Sequence, residues 1–100
     1  MMLVHTVFFW LKPDLSEDEK AQFQAGVESL ATIESTEQVL IGTPANTTKR
    51  PVIDDSYDCS VSVILRDVEA HDLYREDPIH RKFVEKYAHL WESVKIYDAD

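Results

Sequence analysis

The sequence contains few of the residues on which several classes of functional site depend. It has one cysteine in 100 residues, which excludes an internal disulfide framework and a zinc site built from several cysteines. It has two glycines, and it contains no glycine-rich phosphate loop, GxSxG elbow or dinucleotide-binding fingerprint. Phosphate-dependent and serine-hydrolase functions therefore have no support in the sequence.

Basic residues are also scarce. Ten lysines and arginines stand against 19 acidic residues, so the formal net charge is −9. A chain with this charge and no basic patch repels phosphate backbones. We therefore expect no nucleic-acid partner.

The apolar segment over residues 1–12 could be mistaken for a targeting sequence. It has no basic flank and no small-residue cleavage site, and it is too short to span a bilayer. We therefore expect a cytoplasmic protein with no membrane partner and no removable leader.

Hydrophobic periodicity predicts alternating strands and helices. We expect strands over residues 3–12, 37–41, 57–66 and 94–97, and helices over residues 17–33, 68–74 (with Asp67 as its cap) and 78–91. This order is typical of a ferredoxin-like α+β fold, a split βαβ pattern with helices on one face of an antiparallel sheet. Because 100 residues suggest one domain, we assign residues 1–100 to a single domain.

The ends of two helices carry strong local signals. Ser16 and Glu19 have the spacing of a capping box, in which each side chain bonds the other residue's amide. Asp77 followed by Pro78 is typical of a helix start, with the proline at the first helical position. Between the second and third strands, residues 42–56 form a long loop rich in turn-forming residues.

The first strand is apolar on both faces. Val7 and Phe9 lie on one face, together with His5, whereas Phe8 and Trp10 lie on the other. Helices on one side of a sheet cover only one of these faces, and a large exposed apolar surface usually marks an interface. We therefore expect a homodimer that packs sheet against sheet, a dimeric α/β barrel.

Three segments resemble the stress-responsive α/β-barrel (Dabb) family. They are M-x-x-H-x-V-x-F-x-x-K-P at residues 2–13, R-P-V-x-D-x-S-Y-D at residues 50–58, and Y-x-x-x-P-x-H-x-x-F-V at residues 74–84. The resemblance implies the fold and dimer expected above, and a pocket between sheet and helices. The family includes plant heat-stable proteins and the olivetolic acid cyclase, and most of its members have no assigned reaction.

The resemblance also suggests residue roles. In the cyclase, a tyrosine and a histidine of the third segment carry the proposed acid/base chemistry, and they match Tyr74 and His80. The histidine of the first segment lines the cyclase pocket and matches His5. These assignments are implied by the resemblance.

His80 is also a candidate on physical grounds. If Asp77 caps the helix, His80 is its third residue, where the helix dipole favours the neutral imidazole. A neutral imidazole can abstract a proton next to a carbonyl, and the phenol of Tyr74 could donate to the same group. The alternative is a structural histidine bonded to Glu76, Asp77 or Asp54. Neither interpretation requires a cofactor.

The remaining candidates have simpler interpretations. His5 is either a pocket residue or a half-buried histidine with a hydrogen-bond partner. Five apolar residues belong to the core, and some of them must line any cavity: Phe23, Val27, Val61, Phe83 and Trp91. Cys59 is expected to be a small core residue, and Asp54, Asp55 and Asp58 are expected to be turn residues. His71 and His89 show no metal-binding spacing, so we expect no metal site.

Three functions remain open. The first is a dimeric Dabb protein that binds a small, largely apolar or phenolic ligand. The second is a cofactor-independent acid/base polyketide cyclase or isomerase that uses His80 and Tyr74. The third is a non-catalytic dimer with a structural or partner-binding role.

Overall fold

The computed structural model describes residues 2–100 and has the predicted ferredoxin-like α+β fold. The elements are β1 (Leu3–Leu11), α1 (Glu17–Ser29), β2 (Thr36–Gly42), β3 (Cys59–Leu65), α2 (Val68–Glu76), α3 (Pro78–Tyr87) and β4 (Trp91–Ala99). The strands form one antiparallel sheet in the order β2-β3-β1-β4. Short 3₁₀ turns follow α1 and α3.

The predicted helix starts are confirmed. Ser16 Oγ accepts from the Glu19 amide at 3.1 Å, and Glu19 Oε1 accepts from the Ser16 amide at 3.0 Å. The Asp77 carboxylate accepts from the Ile79 amide at 2.8 Å, and Pro78 is the first residue of α3. None of the helices within residues 2–100 is long and apolar enough to cross a membrane.

The predicted helix ends were wrong. The predicted helix over residues 17–33 has its last α-helical residue at Ser29 and continues as a 3₁₀ turn to Thr32. The final helix ends at Tyr87, so Trp91 is the first residue of β4 and not part of a helix. Apolar periodicity continues through the tighter 3₁₀ turns and therefore does not mark where the α-helix stops.

The terminal strand is also longer than predicted. We expected a strand over residues 94–97, and β4 has nine residues, Trp91–Ala99. The polar side chains of β4 do not give the apolar alternation that predicts a strand. They are compatible with its position, because β4 is an edge strand that pairs on one side only, with β1. Such a strand tolerates charged residues better than a central one.

The core lies between one sheet face and the helices. His5, Val7 and Phe9 of β1 and alternate residues of β3 from Cys59 to Leu65 are buried on this face, as the alternation predicted. Burying one such apolar side chain contributes roughly 1.5–3 kcal/mol. Burial raises the pKa of the Cys59 thiol to about 11, which is consistent with its interpretation as a core residue.

The other face of the sheet carries no helix. We call it the open face; its exposed or half-buried side chains include Val4, Phe8, Trp10, Leu40 and Tyr97. The loop before β3 reaches one end of it, where Trp10 Nε1 donates to Ser56 Oγ at 3.1 Å and Phe8 packs edge-on against Tyr57. The open face also carries the polar residues Thr6, Ser60 and Ser62, and its exposed large apolar side chains are Val4, Leu40 and Tyr97.

Of the three aspartates expected to be turn residues, Asp54 and Asp55 bond within the loop and Asp58 bonds outside it. Asp54 accepts from the Ser56 amide, and Asp55 forms an ion pair with Lys49. The carboxylate of Asp58 accepts from the Leu11 amide at 2.7 Å and so ties the loop to the end of β1.

Candidate functional site

A cavity of 180 Å³ lies between the helices and the part of the sheet formed by β1, β3 and β4. Nine of its twelve lining residues are hydrophobic, and the other three are His5, Tyr74 and His80. The cavity also brings together three of the predicted apolar residues, Val61, Phe83 and Trp91.

Two predicted lining residues lie elsewhere. Phe23 and Val27 of α1 are buried in the core but are not part of this cavity wall. Phe23 contacts the ring of Phe9 edge-on, and Val27 is fully buried. Their periodicity therefore identified core residues and not site residues.

His80 is the third residue of α3 and is half-buried in the cavity wall. Burial is the main cause that lowers its pKa below the usual value, and the charges of His5 and Arg75 lower it further. The ring is therefore neutral near pH 7. From the sequence a neutral ring is expected because of the helix dipole, and in the structure the largest cause is burial. Asp77, one of its candidate structural partners, is occupied instead as the cap of α3.

Tyr74 lies between the two cavity histidines. Its ring is edge-on to His80 at 5.0 Å and to His5 at 5.7 Å between centroids. Tyr74 is buried, and this burial raises the pKa of its phenol above the usual value. The hydroxyl therefore stays protonated at neutral pH and is a potential donor.

His5 is held by a residue that the sequence analysis did not identify. His5 and Asp98 are direct partners in the β1–β4 ladder, and Nδ1 of His5 lies 2.5 Å from Oδ1 of Asp98. The register shift in this ladder occurs between Trp10 and Leu11, so it does not move His5 off the helix-facing side. In a neutral ring, an Nδ1–H that donates to this carboxylate leaves Nε2 as the acceptor.

His71 is the second missed residue. Its ring lies 5.0 Å from that of His5, and its Nε2 is 3.9 Å from Oδ2 of Asp98. Extending the final strand by alternation would have placed Asp98 on the same face as Val94 and Ile96, but its pairing with His5 depends on the register of the folded sheet. No local signal exists for His71, because the position of α2 over β1 is set by tertiary packing.

This geometry gives a mostly apolar cavity with a polar end. The phenol of Tyr74 is in edge-on contact with both imidazoles, those of His5 and His80. Neutral imidazoles can accept a proton and a phenol can donate one, so the arrangement is chemically competent for acid/base work.

Comparison with known families and structures identifies the fold family. A family model described as the stress responsive A/B barrel domain matches residues 3–100. The chain belongs to this family. This confirms the resemblance drawn from the three sequence segments. No curated protein sequence matches the chain.

Solved structures similar to this Dabb domain share its fold over almost the whole chain. A Dabb family protein from Mesorhizobium loti is 25% identical, with a TM-score of 0.78 and coverage of 99% of this chain and 95% of that one. A dimeric ferredoxin-like protein of unknown function from Thermobifida fusca is 18% identical, with a TM-score of 0.79 and coverage of 99% and 90%. A hydroxynitrile lyase from Passiflora edulis is 17% identical, with a TM-score of 0.80 and coverage of 98% and 91%.

Proposed function

We propose that this Dabb domain binds a small, largely apolar ligand of about one aromatic ring in the cavity between sheet and helices. The observation that carries the proposal is the cavity itself, with nine hydrophobic lining residues and three polar ones grouped together. Binding sites of this kind combine apolar walls with a few polar groups that orient the ligand.

The volume limits the size of the ligand. The cavity measures 180 Å³, and an apolar protein cavity of about 150 Å³ is large enough to hold benzene. A single ring therefore fits, whereas a fused polycyclic ligand requires the walls to move. A hydroxyl or carbonyl on that ring would face His5, Tyr74 or His80, so phenol is a suitable probe.

Phenol binding can be tested with a cavity-filling variant. Val94 lines the cavity from β4 and is 42% exposed, so Val94→Phe adds a ring at the cavity rim. We expect it to weaken phenol binding at least tenfold, as measured by NMR chemical-shift titration. Val68→Phe is the matched control, because Val68 is 54% exposed and lies outside the cavity on α2.

Two results would contradict ligand binding. Phenol that shifts no cavity resonance at millimolar concentration supports the structural or partner-binding role instead. Equal affinity in Val94→Phe, Val68→Phe and wild-type protein places the ligand outside the cavity. Urea unfolding of both variants checks that a lost signal does not come from lost structure.

A second candidate function is cofactor-independent acid/base catalysis. The observation that favours it is the contact of Tyr74 with both His80 and His5 inside an apolar cavity. The structural neighbour described as a hydroxynitrile lyase is an enzyme with this fold, although fold alone does not transfer a reaction.

Exchange of acidic C–H protons separates catalysis from binding. The protein should accelerate deuterium exchange next to the carbonyl of a small aryl ketone, and both His80→Ala and Tyr74→Phe should reduce this rate at least about 100-fold. Glu76→Gln, an exposed change beside the site, should leave it unaltered. A wild-type rate equal to that of buffer excludes this function while leaving ligand binding intact.

We also propose that the protein is a homodimer joined through the open face. Its exposed apolar side chains support this, as does the description of the T. fusca neighbour as dimeric. Leu40→Glu should produce a monomer in sedimentation velocity, whereas Leu73→Glu, an equally exposed apolar position on α2, should not. A wild-type monomer at micromolar concentration would contradict the dimer.

A further inference from the structure

Three potential metal ligands meet beside the cavity. His5, His71 and Asp98 come from β1, α2 and β4, and one ligand atom from each lies within 4.8 Å of the others. The two oxygens of Asp98 face different histidines, with Oδ1 2.5 Å from His5 Nδ1 and Oδ2 3.9 Å from His71 Nε2. We propose that these three residues bind a divalent transition-metal ion.

The donor set determines the class of metal. Two imidazole nitrogens and one carboxylate oxygen suit Zn²⁺ and the divalent ions of iron, cobalt and nickel. Magnesium and calcium prefer sites made entirely of oxygen ligands. Three protein ligands also leave at least one coordination position for water or for another small ligand.

The observed distances are close to those of a metal site. Zinc binds such ligands at about 2.0–2.2 Å in a tetrahedron, so the ligand atoms of a loaded site lie roughly 3.3 Å apart. The His5–Asp98 contact must open from 2.5 Å, and the longest separation must close from at most 4.8 Å. Each change is at most about 1.5 Å. Rotation of the partly exposed Asp98 side chain adjusts its distances to both histidines, whereas any closure between His5 and His71 requires the imidazole rings to move.

The surroundings orient both histidines. His71 Nδ1 lies 3.3 Å from Oδ1 of Asp72, which leaves Nε2 directed towards Asp98. A carboxylate on the second ring nitrogen is the usual support of a metal-binding histidine. The side chains of His5 and His71 are only 6% and 13% exposed. Their rings are therefore ordered before an ion arrives.

Zinc titration of the whole chain tests the site. We expect one Zn²⁺ per chain in competition with a chromophoric chelator, and no competition from Mg²⁺. His71→Ala should weaken zinc binding by about 100-fold or more, and Asp72→Asn by about tenfold. His89→Ala is the control and should change nothing, because His89 is an exposed histidine that lies outside the cluster.

Spectroscopy keeps the test independent of folding. Zinc should shift the ring resonances of His5 and His71 in wild-type protein before those of His89, and Val94→Phe should still bind zinc. Equal loss of affinity in His71→Ala and His89→Ala would overturn the proposal. Zinc-induced shifts confined to His89 would also overturn it. So would the absence of binding at Zn²⁺ concentrations up to about 100 µM, which corresponds to a binding free energy weaker than about 5.5 kcal/mol.

Discussion

The bond between His5 and Asp98 should contribute measurably to stability. His5 is buried, and its Nδ1 lies 2.5 Å from the Asp98 carboxylate. Asp98→Ala removes the acceptor and leaves a buried ring N–H without a partner, which costs about 1–3 kcal/mol in general. The Asp98 side chain is 44% exposed, so water replaces part of the lost bond. We therefore expect a loss of about 1–2 kcal/mol.

The assay is urea unfolding at pH 7 in the presence of a chelator, at fixed protein concentration because dimerisation also affects stability. For a chain of this size, a loss of about 1–2 kcal/mol lowers the melting temperature by roughly 4–16 °C. Asp98→Asn keeps an oxygen acceptor and should cost less than Asp98→Ala. Glu92→Ala is the control, because it removes an exposed carboxylate from the other end of the same strand.

A double-mutant cycle with His5→Leu isolates the pair. If the bond is the cause, Asp98→Ala should cost less in the His5→Leu background than in the wild type, by at least about 0.5 kcal/mol. Equal costs in both backgrounds, or an effect of Asp98→Ala no larger than that of Glu92→Ala, would refute the reasoning. The bond would then make no net contribution to stability.

Three further predictions concern packing and ionisation. Gly26→Ala would place a Cβ 2.6 Å from the Tyr87 ring. The cost of this overpacking, about 1–3 kcal/mol, should outweigh the gain of about 1 kcal/mol that alanine brings in helix propensity. Gly26→Ala should destabilise the wild type in urea and stabilise a Tyr87→Ala variant, and the same sign in both would contradict the clash. The lowered pKa of His80 means that the unfolded chain binds its proton more tightly, so stability should fall as pH drops below about 6.5. His80→Gln should reduce this fall, and an NMR midpoint at or above that of a reference peptide would contradict it. With a pKa of about 11, Cys59 should resist thiol reagents at pH 8 until urea unfolds the protein; prompt labelling of the folded chain would contradict its burial.

The fold could be predicted because its signals are local. The capping box at Ser16, the Asp77–Pro78 start of α3 and the alternation of β3 each lie within a few residues of sequence. Element ends were less predictable, since the 3₁₀ turns after α1 and α3 keep the apolar spacing of the helices they follow.

The candidate site was predicted only in part because its members are distant in the chain. His5 and Asp98 are 93 residues apart and meet only once the β1–β4 register is fixed. His71 joins them from the middle of α2, at a position where sequence spacing indicates no metal site. Residue types alone also cannot separate Phe83, which lines the cavity, from Phe23, which fills the core.

Alternate residues of β4 face the cavity and the open face, so ligand binding and dimerisation depend on opposite faces of the same strand. Val94, Ile96 and Asp98 pair with the helix-facing residues of β1, whereas Lys95 and Tyr97 pair with residues of the open face. A substitution at Tyr97 should therefore affect dimerisation without changing the cavity, and one at Ile96 should do the reverse. If a single change at either position altered both properties equally, the dimer would have to form across the edge of β4 and not on the open face. The cavity would then be a site completed by the second subunit.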